Sequence, residues 1–234
     1  MSSKASALVA AALLSLVACK SNPVENKPMA TVSEPSTTKV SDSMRALPGS
    51  LGKPGAHMVA PNAQVEGGAE LLEVSPTNSK VEFVGAKVTG KHTGSFKSFT
   101  GTVAYRSAFE ESKISLEVDV ASLTVDAGAT LEKHLKSADF FDTEKFPKAS
   151  FTSDSISKNA DGTYTVKGTM EIHGVKKTIG FPATVSETPE KVTLKSEFGI
   201  TRKDFGVVYP GKPNDLIKDE FLLKIELGLP REKK

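Results

Sequence analysis

The chain has 234 residues, 38% of them hydrophobic, with no tryptophan and a formal net charge of +2. That length and apolar share support one good core plus appendages, and interspersed Lys and Glu without an acidic or basic block argue against nucleic acid as a partner. Twelve phenylalanines against three tyrosines suit apolar packing or an apolar ligand better than base stacking.

Lys4 precedes an apolar run from Ala5 to Ala18, too short to span a bilayer comfortably but of signal-peptide length. The run finishes Leu16-Val17-Ala18-Cys19, which resembles the bacterial lipobox. Residues 1–18 are therefore expected to be a lipoprotein signal peptide and Cys19 a lipid anchor; an ordinary signal peptide with a chance cysteine is the alternative. Two or more acyl chains on that sulfur make stable membrane anchoring possible. Cys19 is the one cysteine, so no disulfide within the chain and no redox or metal role for sulfur remains. Lys20 is not the aspartate of an inner-membrane retention signal, which favours a periplasmic protein held at the outer membrane. Residues 19–70 carry six prolines from Pro23 to Pro61 in a Ser/Thr/Ala/Gly-rich background and read as a disordered tether with a reach of about 40 Å. The folded domain is expected over residues 71–234.

From Val74 the pattern becomes two-residue alternation. Ser75-Pro76-Thr77-Asn78-Ser79 is a turn, residues 80–89 a strand apolar on both faces, and Gly90-Lys91-His92-Thr93-Gly94 a loop. Residues 96–106 form a second strand, with Gly101 suited to a bulge or bend. The third, 113–121, alternates Ile114, Leu116, Val118 and Val120 with polar residues, as a half-buried strand does. A short helix over 131–137 then interrupts the pattern. It ends in the corner Asp139-Phe140-Phe141-Asp142, and Phe146-Pro147 forces a new extended run. Strands follow over 149–157, 163–173, 177–187, 191–201 and 218–229, with Asn159-Ala160-Asp161-Gly162 as a hairpin turn and a long loop through Pro210 and Pro213 before the last.

Eight antiparallel strands linked mostly by short turns satisfy their edges best by closing on themselves. The expected fold is all-β: an eight-stranded antiparallel barrel with one short helical segment after the third strand. A barrel of eight either fills with side chains or holds one small ligand. Small residues, Gly101, Gly168, Gly180 and Ala183, leave room for a cavity.

At His134-Leu-Lys-Ser-Ala-Asp-Phe-Phe-Asp142, Glu144-Lys-Phe-Pro147 and Phe151 the chain resembles the YceI-like polyisoprenoid-binding family. The resemblance continues at Gly168-Thr-Met-Glu-Ile-His-Gly-Val-Lys-Lys177, at Thr201-Arg-Lys-Asp-Phe-Gly206 and at Asp219-Glu-Phe-Leu-Leu-Lys-Ile-Glu-Leu227. It implies a lipocalin-like barrel, exported to the periplasm, whose interior holds a long apolar chain such as a polyprenyl lipid, a quinone tail or a fatty amide. Lys136 stands where arginine is common in the family, and the loop over 207–217 is this chain's own.

The expected cavity wall comprises Phe83, Val103, Leu116, Val118, Phe151, Val166, Met170, Phe181, Phe198 and Leu223, with Phe140 and Phe141 plugging the barrel or touching the ligand tail. Asp139 and Asp142 read as helix-end and turn formers. Arg202 with Asp204 is either a structural ion pair or a polar clamp for a headgroup. His92, His134 and His173 lack the close spacing that preorganises metal ligands, and no GxSxG motif or cysteine nucleophile is present. The leading expectation is a lipid-anchored carrier of a long-chain amphiphile, with no cofactor and no catalysis. Two rivals stay open: a side-chain-filled barrel serving as an interaction module, and a metal-dependent enzyme using His92, His134 and His173.

Overall fold

Two-residue alternation with one apolar face builds a curled antiparallel sheet, seen here in a computed structural model that describes residues 22–35 and 68–231. The expected signal peptide, Cys19 and much of the expected tether lie outside the described residues. In chain order the strands are β1 (Thr31–Ser33), β2 (Glu70–Val74), β3 (Ser79–Lys87), β4 (Gly90–Phe96), β5 (Phe99–Tyr105), β6 (Lys113–Asp119) and β7 (Leu123–Val125). After the helix α1 (Ala129–Lys136) come β8 (Lys148–Lys158), β9 (Tyr164–Ile172), β10 (Val175–Glu187) and β11 (Lys191–Thr201). A small hairpin, β12 (Gly211–Lys212) and β13 (Asp215–Leu216), precedes β14 (Glu220–Pro230). In β6 the alternation is read out directly, with Ile114, Leu116 and Val118 buried and Ser115 and Glu117 exposed.

The hydrogen-bonded order is β2-β5-β6-β8-β9-β10-β11-β14-β3-β4-β7. Its two ends are only apparent, because three pairs of short strands are single strands with a bend. β2 runs into β3 through the turn at Ser75 to Asn78, where the Asn78 side chain accepts from the Ser75 N–H at 3.1 Å. β2 pairs β5 while β3 pairs β4, and β5 pairs β6 while β4 pairs β7. Counted as bent strands, the eight close through β14 on β3, so no long edge is left to aggregate. The expected all-β, antiparallel barrel with one short helix is what forms; the strand count differs slightly, because β1 adds to β10.

Three local expectations are corrected. Gly90 to Gly94 is no loop: it is most of β4, hairpinned onto β3 with Lys87 opposite Gly90, and the turn falls at Val88-Thr89. The loop 207–217 contains its own hairpin and lies beside β3, where Val88 N–H donates to Leu216 O at 3.0 Å and Lys218 N–H to Ala86 O at 2.8 Å. Residues 22–35, expected as coil, dock on the barrel: Val24 is buried with Val84 and Leu222, and β1 pairs β10. Apolar partners are too few in this stretch to show a period, and its place is fixed by distant strands.

α1 follows Gly128, whose positive φ of 79° suits glycine, and stops at Ser137, whose hydroxyl donates to His134 O at 2.8 Å. The corner folds back through Asp142, also at positive φ, with Phe141 and Leu135 packed on the core. Helix and corner thus lie over the barrel end that holds Phe96 and the start of β8.

Candidate ligand-binding slot

Inside the barrel runs an apolar slot of about 90 Å³, with Phe83, Leu116, Val118, Phe141, Phe151, Met170, Phe181 and Leu223 on its wall. Those eight were expected there. Phe83 stands 5.5 Å from Phe96 and 6.5 Å from Phe141, ring centre to ring centre, and Phe151 lies 5.3 Å from Phe181. Half-buried Phe96, Phe141 and Phe221 mark the end where the slot meets solvent, which we call the mouth. Aromatic edges and faces there contact one another in tilted or edge-on arrangements worth roughly 0.5–1.5 kcal/mol a pair beyond burial.

Four of the expected wall residues lie elsewhere. Val103 and Val166 are completely buried in the filled half of the barrel, and Phe198 is buried behind Phe181, its ring stacked at 4.3 Å and 6°. Phe140 faces away from the slot: it meets His134 at 5.2 Å and Tyr209 at 5.4 Å, clamping the loop over 207–217 to the corner. Wall residues not singled out from sequence include Val81, Leu194, Phe221 and Ile225. They share the two-residue alternation with the expected ones, so the period held the signal. Ala149 shares the parity of Phe151, and Phe96 sits beside a bend, where parity fails.

The glycines expected to leave room do the opposite. A Cβ at Gly168 would lie 2.7 Å from the Phe151 ring and 2.2 Å from Thr152 O, and one at Gly101 2.3 Å from Ser115 O. Phe151 therefore lies flat across its neighbour strand, covering the glycine rather than leaving it open, as aromatic rings do for strand glycines.

Arg202 is 6% exposed, and its donors are taken inside the protein: Nε to Lys218 O at 3.0 Å, Nη1 to Val207 O at 2.8 Å, Nη2 to Asp219 Oδ1 at 2.9 Å. Burial lowers its pKa, opposed by the Asp219 carboxylate. Its partner is Asp219, not Asp204, which is exposed. Arg202 is thus a clasp joining the end of β11 to the start of β14, with no donor turned towards the slot.

The histidines are held apart. His92 Nδ1 lies 3.0 Å from Asp126, His134 Nε2 lies 3.2 Å from Asp139, and His173, in a left-handed turn, packs its ring 4.5 Å from Phe146. The Thr93 N–H, ahead of His92, holds the Asp126 carboxyl below its usual range. Among the described residues no three His, Cys, Asp or Glu side chains converge on a metal-sized site. An open trough of about 440 Å³ on the outer wall is edged by Lys80, Glu82, Lys195, Glu197, Lys224 and Glu226. There Lys195 pairs with Glu226 at 3.2 Å and Lys224 with Glu197 at 3.3 Å, a self-neutralised, solvated face.

A closed barrel with an apolar bore and a helical corner over its mouth invites comparison with known proteins. Residues 72–229 match the YceI-like domain family. The chain belongs to the YceI-like family. A UPF0312 protein of Pseudomonas putida strain F1 is 38% identical over 125 residues, which is 50% of this chain and 65% of that protein. A UPF0312 protein of Pseudomonas fluorescens SBW25 is 33% identical over 131 residues, 53% of this chain and 68% of that protein. The match with the Pseudomonas putida relative thus spans just under two thirds of that protein's length. The crystal structure of Burkholderia cenocepacia BcnA superposes with a TM-score of 0.60 at 27% identity, covering 68% of this chain and 99% of that one. A polyisoprenoid binding domain from Saccharophagus degradans superposes at 0.54 with 15% identity, covering 70% and 99%, a likeness of fold alone. In this YceI-like chain the family region starts at Leu72, so the docked stretch 22–35 is an addition to it.

Proposed function

We propose that the protein binds and carries a long-chain amphiphile, polyisoprenoid, quinone-like or fatty amide, in the barrel interior, in the periplasm, with Cys19 acylated and the barrel held at a membrane. The carrying observation is the slot itself: an apolar bore inside a closed barrel, with no ionisable side chain on its wall. Each methylene buried there contributes about 0.8 kcal/mol, so a few isoprene units suffice for useful affinity without a polar contact. A Saccharophagus degradans relative by fold is a polyisoprenoid binding domain, which supports the same ligand class here. Binding, not catalysis, is the role such a wall supports.

At about 90 Å³ the slot is well below the roughly 300–1,000 Å³ of small-molecule pockets. A long tail therefore enters only as side chains at the mouth yield. Met170, with three rotatable bonds, and half-buried Phe141 are the ones placed to do so. The same narrowness favours the rival reading of a filled barrel used as an interaction module. Native mass spectrometry of protein purified without detergent decides between them: an added mass released by organic solvent supports carriage, and its repeated absence supports the filled barrel. Intact mass of membrane-extracted protein tests the anchor, which requires a diacylglyceryl adduct on Cys19.

A further inference from the structure

β10 and β11 part halfway along. Towards the filled end Thr184 to Glu187 pair with Lys195 to Val192 in register. Continuing that register would set Gly180 opposite Gly199 and Thr178 opposite Thr201. Instead residues 28–33 lie between the two strands. Ala30 N–H donates to Gly199 O and Gly199 N–H to Pro28 O, each at 2.8 Å, while Thr31, Val32 and Ser33 pair with Gly180, Ile179 and Thr178. Pro182 stands at the fork, its carbonyl taken by the Ser196 hydroxyl at 2.6 Å.

The inserted segment is specifically held. Val24 is buried against Val84 and Leu222, Lys27 pairs with Glu197 at 2.5 Å, and Glu34 pairs with Lys177. Two glycines on the outer wall make its room: a Cβ at Gly199 would lie 2.4 Å from Met29 Sδ and 2.6 Å from Val24 Cγ1, and one at Gly180 2.7 Å from Thr31 Oγ1. The fork opens towards the mouth. Phe181, on the slot wall, follows Gly180, and Gly199 is paired with Leu222, between the wall residues Phe221 and Leu223.

We propose that residues 28–33 act as a removable ninth strand that sets the bore of the slot. Barrel diameter grows with strand number, so nine strands around the mouth and eight around the filled end make a tube that widens where the ligand enters. Without the insert, unpaired N–H and C=O groups on β10 and β11 are satisfied by zipping in the register they already share, and the mouth narrows. The selection for chain bulk would then lie outside the family domain, in a segment that begins nine residues after Cys19. The ligand half of this proposal rests on the carrier reading.

The test expels the insert with Gly199→Val, whose new Cβ meets Met29 and Val24 first, or, leaving the barrel untouched, with Val24→Asp plus Met29→Asp. A Thr178→Cys/Thr201→Cys pair reports the zip. With a strand between them, and offset along it, these positions sit more than about 9.6 Å apart, beyond the ~7 Å that a disulfide tolerates, so the bond forms under mild oxidant only when the insert is out. A Ser33→Cys/Thr178→Cys pair locks the insert in. Titration with a pyrene-labelled hexadecanoic acid should then show wild-type affinity for the locked form and a loss of about tenfold for both expelled forms. Equal affinity in locked and expelled forms, or a 178–201 disulfide that never forms in expelled protein, overturns the proposal while leaving carriage intact. Absence of binding in the wild type as well overturns the carrier reading, and the proposal with it.

Discussion

The two halves of the barrel use the same strands differently. At the filled end Phe109, 2% exposed, meets Tyr164 edge-on at 5.1 Å and Tyr105 at 6.4 Å, with Val103, Val166 and Val192 completely buried around them. Tyr105 donates to Glu187 and lies under the Arg231 guanidinium at 4.6 Å, and Arg231 reaches Glu70 at 3.3 Å, tying β2, β5, β10 and the chain's end together. At the mouth the aromatic residues are half-buried, β10 and β11 diverge, and a slot persists. Close packing makes the first half a rigid base. Looser packing leaves the second half a slot that the first half lacks.

The sharpest way to break this contrast is to cut into each half and compare. Phe109→Ala should cost about 3–5 kcal/mol, read by urea unfolding, because the ring leaves a cavity between two tyrosines that cannot collapse. A cost below about 1.5 kcal/mol would show that the base is not close-packed. Next in size is Arg202→Met, at about 2–3 kcal/mol, since the carbonyls of Val207 and Lys218 lose a charged donor inside the protein. Its ligand affinity should be unchanged, because no donor of Arg202 serves the slot. An affinity loss matching the stability loss would restore the headgroup-clamp reading.

Strand existence was legible in residues such as Ile114, Leu116 and Val118, because a sheet with one buried face writes its period into the chain. The slot wall was legible to the same degree, through parity, and failed at the same places. Val103 and Phe181 share an inward face, yet only Phe181 borders the slot; their difference is depth along the barrel, which alternation does not encode. Phe140 was misplaced because two adjacent phenylalanines at a turn point opposite ways, one to the core and one to Tyr209. The insert at 28–33 was illegible because its register is set by Gly180 and Gly199, some 150 to 170 residues on; Gly180 read as room for a cavity, and Gly199 was not singled out.

The base also has a pH signature. Burial, then the hydrogen bond with Glu187, raise the Tyr105 pKa to about 12 from 10.0. The folded state therefore holds that proton more tightly than the unfolded chain. Its contribution is complete below pH 10 and is lost as pH rises from 10 to about 12, up to roughly 2–3 kcal/mol in all. The wild-type stability minus that of Tyr105→Phe, measured by urea unfolding from pH 9 to 11.5, should fall across this window. A flat difference would mean that the phenol is solvated and the base is open.

The smallest stability effect should come with the largest functional one. Phe141 is half-buried on the corner over the slot, so Phe141→Ala removes part of a ring's contacts and should cost only about 1 kcal/mol. It also removes the side chain that stands over Phe83 at 6.5 Å. Stopped-flow uptake of a pyrene-labelled acid should then quicken, because the tail no longer waits for the ring to swing, while release quickens by at least as much as the lost contact. If uptake is unchanged, the corner does not obstruct entry, and the tail must pass where β10 and β11 diverge.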